Sequence, residues 1–158
     1  MDFEYPSTTF PARPNVSFTL PDEFEPLVSA SVLVGARDTS SSPFMANLIV
    51  ICTRTVNDLT LDDVAADLRA KTAGEYPDAR MTPTEHALVS GLDSLTTITA
   101  MTPPATGFEI EQIQTVVFVP TVNPEVRDLL QIHGSYAADT RDRFASLLLD
   151  AIRGMRIS

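Results

Sequence analysis

Two histidines, His86 and His133, are the side chains whose ordinary pKa suits proton transfer near neutral pH. A Ser-His-Asp hydrolase built on either would need a serine on a strained turn, and Ser90-Gly91 is the nearest candidate. No G-x-S-x-G surrounds that serine. His86 falls in an acidic, Thr-rich stretch after Pro83, and His133 projects from the wet face of a predicted strand. Without a paired cysteine or an H-x-x-x-H spacing, the two do not make a zinc site. Neither is expected to be catalytic, and no metal is expected.

The carboxylates give a second possible chemistry. Glu109 and Glu111 share one face of a predicted strand, where a pair could do acid–base work or hold a cation. Like charges so placed read better as a solvated face. Asp62, Asp63 and Asp67 lie in the first turns of a predicted helix. There they serve as cap and dipole partners, since no D-x-D-x-D-G calcium loop exists. The six glycines are scattered and form no phosphate loop, so no cofactor is expected.

Composition narrows the classes further. The chain has 158 residues, 44% hydrophobic and 20% charged, which suits one globular domain. Lys and Arg number 11 against 21 Asp and Glu, a net charge of −10. That balance disfavours nucleic acid and anionic membranes and favours basic partners. The single cysteine, Cys52, cannot form an internal disulfide and reads as a core thiol. The N-terminal stretch MDFEYPSTTF has neither a basic nor an apolar segment, so no signal peptide is read and a cytoplasmic location is expected.

These residues hang on a framework whose centre is FMANLIVICTRTV, Phe44 to Val56. As a strand it places Met45, Asn47, Ile49, Ile51 and Thr53 on one face and Ala46, Leu48, Val50, Cys52 and Arg54 on the other. Both faces are apolar through the middle, so the strand is expected to be central and covered on both sides. Before it come a strand over Val16 to Leu20, a turn at Phe24 to Pro26 and a strand over Leu27 to Arg37. After it comes a helix over Asn57 to Gly74, capped by Asp58 or Thr60, with Leu61, Val64, Ala65 and Leu68 in one stripe.

Ala79 to Thr102 reads as short strands with a turn at Gly91-Leu92-Asp93. Phe108 to Val119 is a strand whose apolar phase switches, which predicts a bulge or a change of covering element. Val126 to Tyr136 is a strand with one wet face. A second helix over Ala137 to Gly154, capped by Asp139 or Thr140, carries Phe144, Leu147, Leu148, Ala151 and Ile152 inward. Successive strands joined by turns make a mainly antiparallel sheet.

Several stretches carry a family resemblance. They are Val16-Ser17-Phe18-Thr19-Leu20-Pro21 with Phe24, Ala46-Asn47-Leu48-Ile49-Val50, Thr60-Leu61-Asp62-Asp63-Val64, Gly91-Leu92-Asp93-Ser94 and Ile132-His133-Gly134-Ser135-Tyr136. In these the chain resembles the Mog1/PsbP-like family, whose bacterial members include LpqN-type and DcrB-like proteins. The resemblance implies an α+β fold, a mainly antiparallel sheet covered by helices on both faces. It also implies adaptor or chaperone roles rather than catalysis, and it supplies no catalytic residues.

The expectation is therefore an extended arm over residues 1–15 and a single sandwich domain over 16–158. The expected role is a non-catalytic protein-binding module, with Phe3, Tyr5 and Phe10 of the arm available to a partner. A small-molecule or lipid-binding protein is the alternative, and a small hydrolase using His133 or His86 stands behind it. An exposed strand edge leaves homodimerisation open.

Overall fold

The computed structural model describes residues 4–40, 43–56 and 58–158. Its strands are β1 (Val16–Ser17), β2 (Phe24–Pro26), β3 (Val34–Asp38), β4 (Asn47–Val56), β5 (Arg80–Met81), β6 (Glu85–Val89), β7 (Leu92–Met101), β8 (Ile110–Pro120), β9 (Val126–Ala137) and β10 (Arg156–Ile157). Its helices are α1 (Leu61–Glu75) and α2 (Arg141–Arg153), the latter entered through a short 3-10 turn over Ala138–Thr140.

Among the described residues, eight strands form one sheet in the order β2-β3-β4-β9-β8-β7-β5, with β6 also on β7. Every pairing in it is antiparallel. β1 and β10 pair separately, Val16 with Ile157 and Ser17 with Arg156. The central strand is therefore β9, with β4 beside it, which corrects the expectation for β4. The Phe24 to Pro26 segment is a short edge strand rather than a turn, and an edge tolerates Pro26. Val16 to Leu20 narrows to two paired residues, because its partner is the equally short C-terminal strand.

Each helix covers one face. The stripe of α2 packs Phe144, Leu148 and Ile152 on Leu48, Val50, Ile113, Val117, Leu130 and Ile132. Gly134 of β9 lets α2 come close: a Cβ there would lie 3.3 Å from Leu148 Cβ. On the other face Val64 and Ala65 of α1, with Leu61 and Leu68, pack on Leu95, Val116, Leu129 and Phe118.

α1 is held at its start by a capping box. Thr60 Oγ1 accepts from the Asp63 backbone N at 3.1 Å, and the Asp63 carboxylate accepts from the Thr60 backbone N at 3.0 Å. The expected cap on α2 does not form: Thr140 makes no side-chain cap and its hydroxyl donates instead to the Ala137 carbonyl at 2.7 Å. The 3-10 turn before α2 takes up the role of leading the chain into the helix.

β8 keeps an unbroken register with both neighbours, so its change of apolar phase is no bulge. It marks a change of cover. Val116 and Phe118 lie under α1, whereas Gln112 and Gln114 on the same face lie beyond it. The β6–β7 hairpin turns at Ser90 and Gly91, both at positive φ (54° and 77°), one step before the expected position.

Candidate functional site

The structure does not assemble the sequence's hydrolase candidates. His86 is exposed on β6 opposite Leu95, whereas His133 sits in β9 between Ile49 and Gln114. Ser90 is engaged elsewhere: its hydroxyl accepts from Ile157 N at 3.0 Å and donates to Ile157 O at 3.3 Å, strapping the hairpin to β10. That strap also accounts for a serine at positive φ.

His133 does lie on the face of β9 that α1 leaves open, but only part of the imidazole is wet. It is half-buried, its Nδ1 is sealed from solvent without a partner, and burial pushes its pKa down. Ile49 of β4 and Gln114 of β8 stand on either side of it on that face, so the ring keeps only part of its exposure.

Glu109 and Glu111 do not act as a pair. Glu109 meets Arg80 at 2.6 Å near the surface. Glu111 is buried, not solvated. It accepts from Arg141 Nε at 3.0 Å, from Arg141 Nη2, and from the Tyr136 hydroxyl at 2.7 Å. Burial and the Glu111 carboxylate together hold the Tyr136 hydroxyl protonated well above the ordinary tyrosine range. Asp63 is held below the usual carboxylate range by the Thr60 hydroxyl and backbone N–H. Among the described residues no three His, Cys, Asp or Glu side chains gather as a cation site would require.

The arm divides at Pro11. Arg54 donates to the Pro11 and Ala12 carbonyls at 2.7 and 3.2 Å, and Arg13 donates to Cys52 O and Sγ at 2.8 and 3.2 Å. Asn15 and Ser158 exchange backbone hydrogen bonds. Residues 11–15 are thus tied to the body. Tyr5 and Phe10 are exposed, and Phe3 lies outside the described residues. The Cys52 thiol is half-buried with its pKa pushed up, chiefly by burial. Asn47 donates to the Met45 carbonyl at 3.0 Å, a local structural bond.

Two other features could receive a ligand. The first is the sheet face that α1 leaves uncovered. There Ile49 and Ile51 of β4 and Gln131 and His133 of β9 are half-exposed, and Leu33 and Met45, just before β3 and β4, are exposed. Gln114 donates to Gln112 at 2.7 Å and Gln112 to Ser135 at 3.0 Å, a neutral polar ladder beside them.

The second feature is a groove of about 670 Å³ where α1 begins, lined by Asp58, Leu61, Asp62, His86, Asp93, Phe118 and Arg127 among others. By contrast, the cavity between the sheet and α2 is about 80 Å³. Ligand pockets run to roughly 300–1,000 Å³, so that cleft is too small for a lipid.

Neither Phe118 nor Arg127 stands out in the sequence. They meet only through the β8–β9 hairpin register, and the one local signal is that Arg127 alternates with the inward residues of its strand.

An antiparallel sheet with one helix on each face defines the class: the chain is an α+β sandwich with the Mog1/PsbP-like fold. No family model matches the sequence, and no curated protein does. Several solved structures share the fold. LpqN of Mycobacterium tuberculosis, involved in cell envelope biogenesis, gives a TM-score of 0.71 at 16% identity, over 94% of this chain and 86% of that one.

A protein of unknown function from Pseudomonas aeruginosa gives 0.61 at 10%, over 83% and 94%. The cyanobacterial PsbP of Synechocystis gives 0.60 at 20%, over 90% and 86%. At these identities the likeness is one of fold. Among the described residues no helix is long and apolar enough to cross a membrane.

Proposed function

We propose that the protein is a non-catalytic protein-binding module that docks a partner on the face of β4 and β9 left open by α1. The observation that carries this is the make-up of that face. Its centre is Ile49, Ile51, Gln131 and His133, with no carboxylate or ammonium among them, on a molecule whose net charge is −10. Depletion of charge at the centre of a mixed apolar patch is the mark of an interface core.

The acidic remainder of the surface favours a partner with basic residues around its contact patch. LpqN, similar in fold, is named for a part in cell envelope biogenesis rather than for a reaction. A homodimer through β2 has less support, because that edge is three residues long and ends in Pro26.

The test is capture from native lysate of the source cells. The wild-type chain is expected to recover a stoichiometric protein partner, and Ile51→Glu, placed at the centre of the face, to lose it. Repeated recovery of the bare protein, or equal recovery by the variant, would overturn the proposal.

A further inference from the structure

We infer that the outer edge of β6 is a second, separate docking site, and that it takes an extended segment of another protein as an added antiparallel strand. β7 pairs with β8 on one side and with β6 on the other, and among the described residues β6 has no further neighbour. The two-residue turn at Ser90 and Gly91 closes on the pair Val89 and Leu92. In such a hairpin that pair exchanges both backbone hydrogen bonds, and bonded pairs then alternate along the ladder. Ala87 and Glu85 therefore turn their N–H and C=O to β7, whereas His86 and Leu88 turn theirs outward. The bond from Thr82 N to Ile98 O at 2.9 Å, two residues past Thr96, keeps the same phase. Among the described residues the outward groups of His86 and Leu88 have no backbone partner.

This edge is open. Residues 85–88 are exposed, Leu88 to 61%. Proteins blunt such edges with proline, lysine or a bulge. Here Pro83 lies before the strand, and Glu85–Val89 contains neither proline nor lysine. The opposite edge of the sheet, β2, is three residues long and ends in Pro26.

The two faces of the edge narrow the partner. Glu85, Ala87 and Val89 face α2, where the cavity of about 80 Å³ lies between the strand and Leu149 and Ile152. A water's share of the liquid is about 30 Å³, so the cavity takes one small aliphatic side chain from a strand laid opposite Ala87. His86 and Leu88 face the side of α1. There Asp93 stands opposite Leu88, and Asp58 and Asp62 line the groove beside His86. All three aspartates are exposed, so they favour basic side chains on that face of the incoming strand. The partner segment thus alternates small aliphatic and basic residues. A second copy of this chain fits poorly, since it would set a net charge of −10 and the same aspartates against their own kind.

The test uses the full chain and a fluorescent peptide of alternating arginine and valine, blocked at both ends, with binding read by polarisation. In the antiparallel pair the arginines lie opposite His86 and Leu88, so arginine N–H groups bond the edge and valine N–H groups point away. N-methylation of the arginines should weaken binding at least about tenfold, since it removes those bonds and puts a methyl group against the strand. N-methylation of the valines should leave binding unchanged. Leu88→Pro removes an outward N–H without touching the β7 ladder and should lose a similar factor. Amide exchange at His86 and Leu88 should slow when the peptide is bound.

Ile51→Glu, on the sheet face, should leave peptide binding unchanged. Equal affinity of the two N-methylated peptides would mean attraction of charge alone and overturns the inference, as does no binding at all; both leave the sheet-face reading standing. Loss of peptide binding in Ile51→Glu overturns it too, by moving the peptide to that face. A dimer of the chain alone in sedimentation, abolished by Leu88→Pro, overturns it by giving the edge to a second copy. Should Leu88→Pro fail to fold, the two N-methylated peptides on the wild-type chain still decide.

Discussion

Arg54 and Asp128 stand directly opposite each other in the β4–β9 pair and form a side-on ion pair, Nε to Oδ1 at 3.0 Å and Nη2 to Oδ2 at 2.9 Å. Asp128 is 1% exposed. The rest of the Arg54 guanidinium reaches the Pro11 and Ala12 carbonyls, so one interaction joins the sheet to the N-terminal segment. Replacing Asp128 with Ala should cost about 2–3 kcal/mol. That is less than a fully sealed pair, because Arg54 keeps some contact with solvent. Urea unfolding gives the cost. Faster hydrogen exchange at the Asn15 amide, which donates to the Ser158 carbonyl, would show that residues 11–15 have come away; an unchanged midpoint and exchange rate would refute the link.

Tyr136 and Glu111 form a second buried junction, between β9 and β8, which Arg141 closes from α2. Tyr136→Phe removes one hydrogen bond to a charged acceptor and leaves the ring, for a loss of about 1.5–3 kcal/mol. The pH dependence follows from the raised pKa. The unfolded tyrosine gives up its proton near pH ~10, whereas the folded one holds it. Its contribution is complete below about pH 10 and falls as pH rises beyond that. Denaturation curves above pH 10 should be steeper in pH for the wild type than for Tyr136→Phe.

His133 gives the opposite dependence. Its cross-strand neighbours, Ile49 and Gln114, do not ionise, so desolvation acts on it unopposed and lowers its pKa. Below the unfolded value of about 6.5 the unfolded chain takes up a proton that the folded chain refuses. Stability from the neutral imidazole is complete above that pH and is lost as pH falls through the window beneath it. His133→Gln should flatten the fall in unfolding free energy on acidifying from neutral pH. An identical slope in the variant would show that some other group carries it.

Local signals were the readable ones. The cap at Thr60 and Asp63 and the stripe of Phe144, Leu147, Leu148 and Ile152 depend on residues within a turn or two, so sequence spacing reveals them. The antiparallel sheet and its two covering helices followed from the order of those elements.

The place of β9 at the centre did not, because strand order depends on pairings between distant segments. Its residues Gln131, His133 and Ser135 read as a fully wet face, whereas in the sheet Gln131 and His133 are half-exposed and Ser135 is buried. Glu111 misled for the same reason: its partners, Tyr136 and Arg141, are far along the chain. Of the two candidate sites, the sheet face was half legible in Ile49 and Ile51. The groove was not, since Arg127 and Phe118 meet only through the hairpin register.

Gly134 shows how that central strand governs the packing of α2. It is flanked in β9 by His133 and Ser135 and faces Leu148, which is fully buried. A methyl group there would lie 3.3 Å from Leu148 Cβ, 3.5 Å from its Cδ1 and 3.7 Å from Ile152 Cδ1. The nearest of these contacts is to a Cβ, which no rotamer change can move, so α2 itself must shift outward. Overpacking of this kind costs about 1–3 kcal/mol. Gly134→Ala should therefore lower the urea midpoint without changing the slope. Leu148→Gly, which removes that Cβ and alone would leave a cavity, should make room for the new methyl, so the double variant should be more stable than the sum of the two single losses. Strict additivity would mean that α2 does not rest on Gly134 and that the close approach of helix to strand carries no stability.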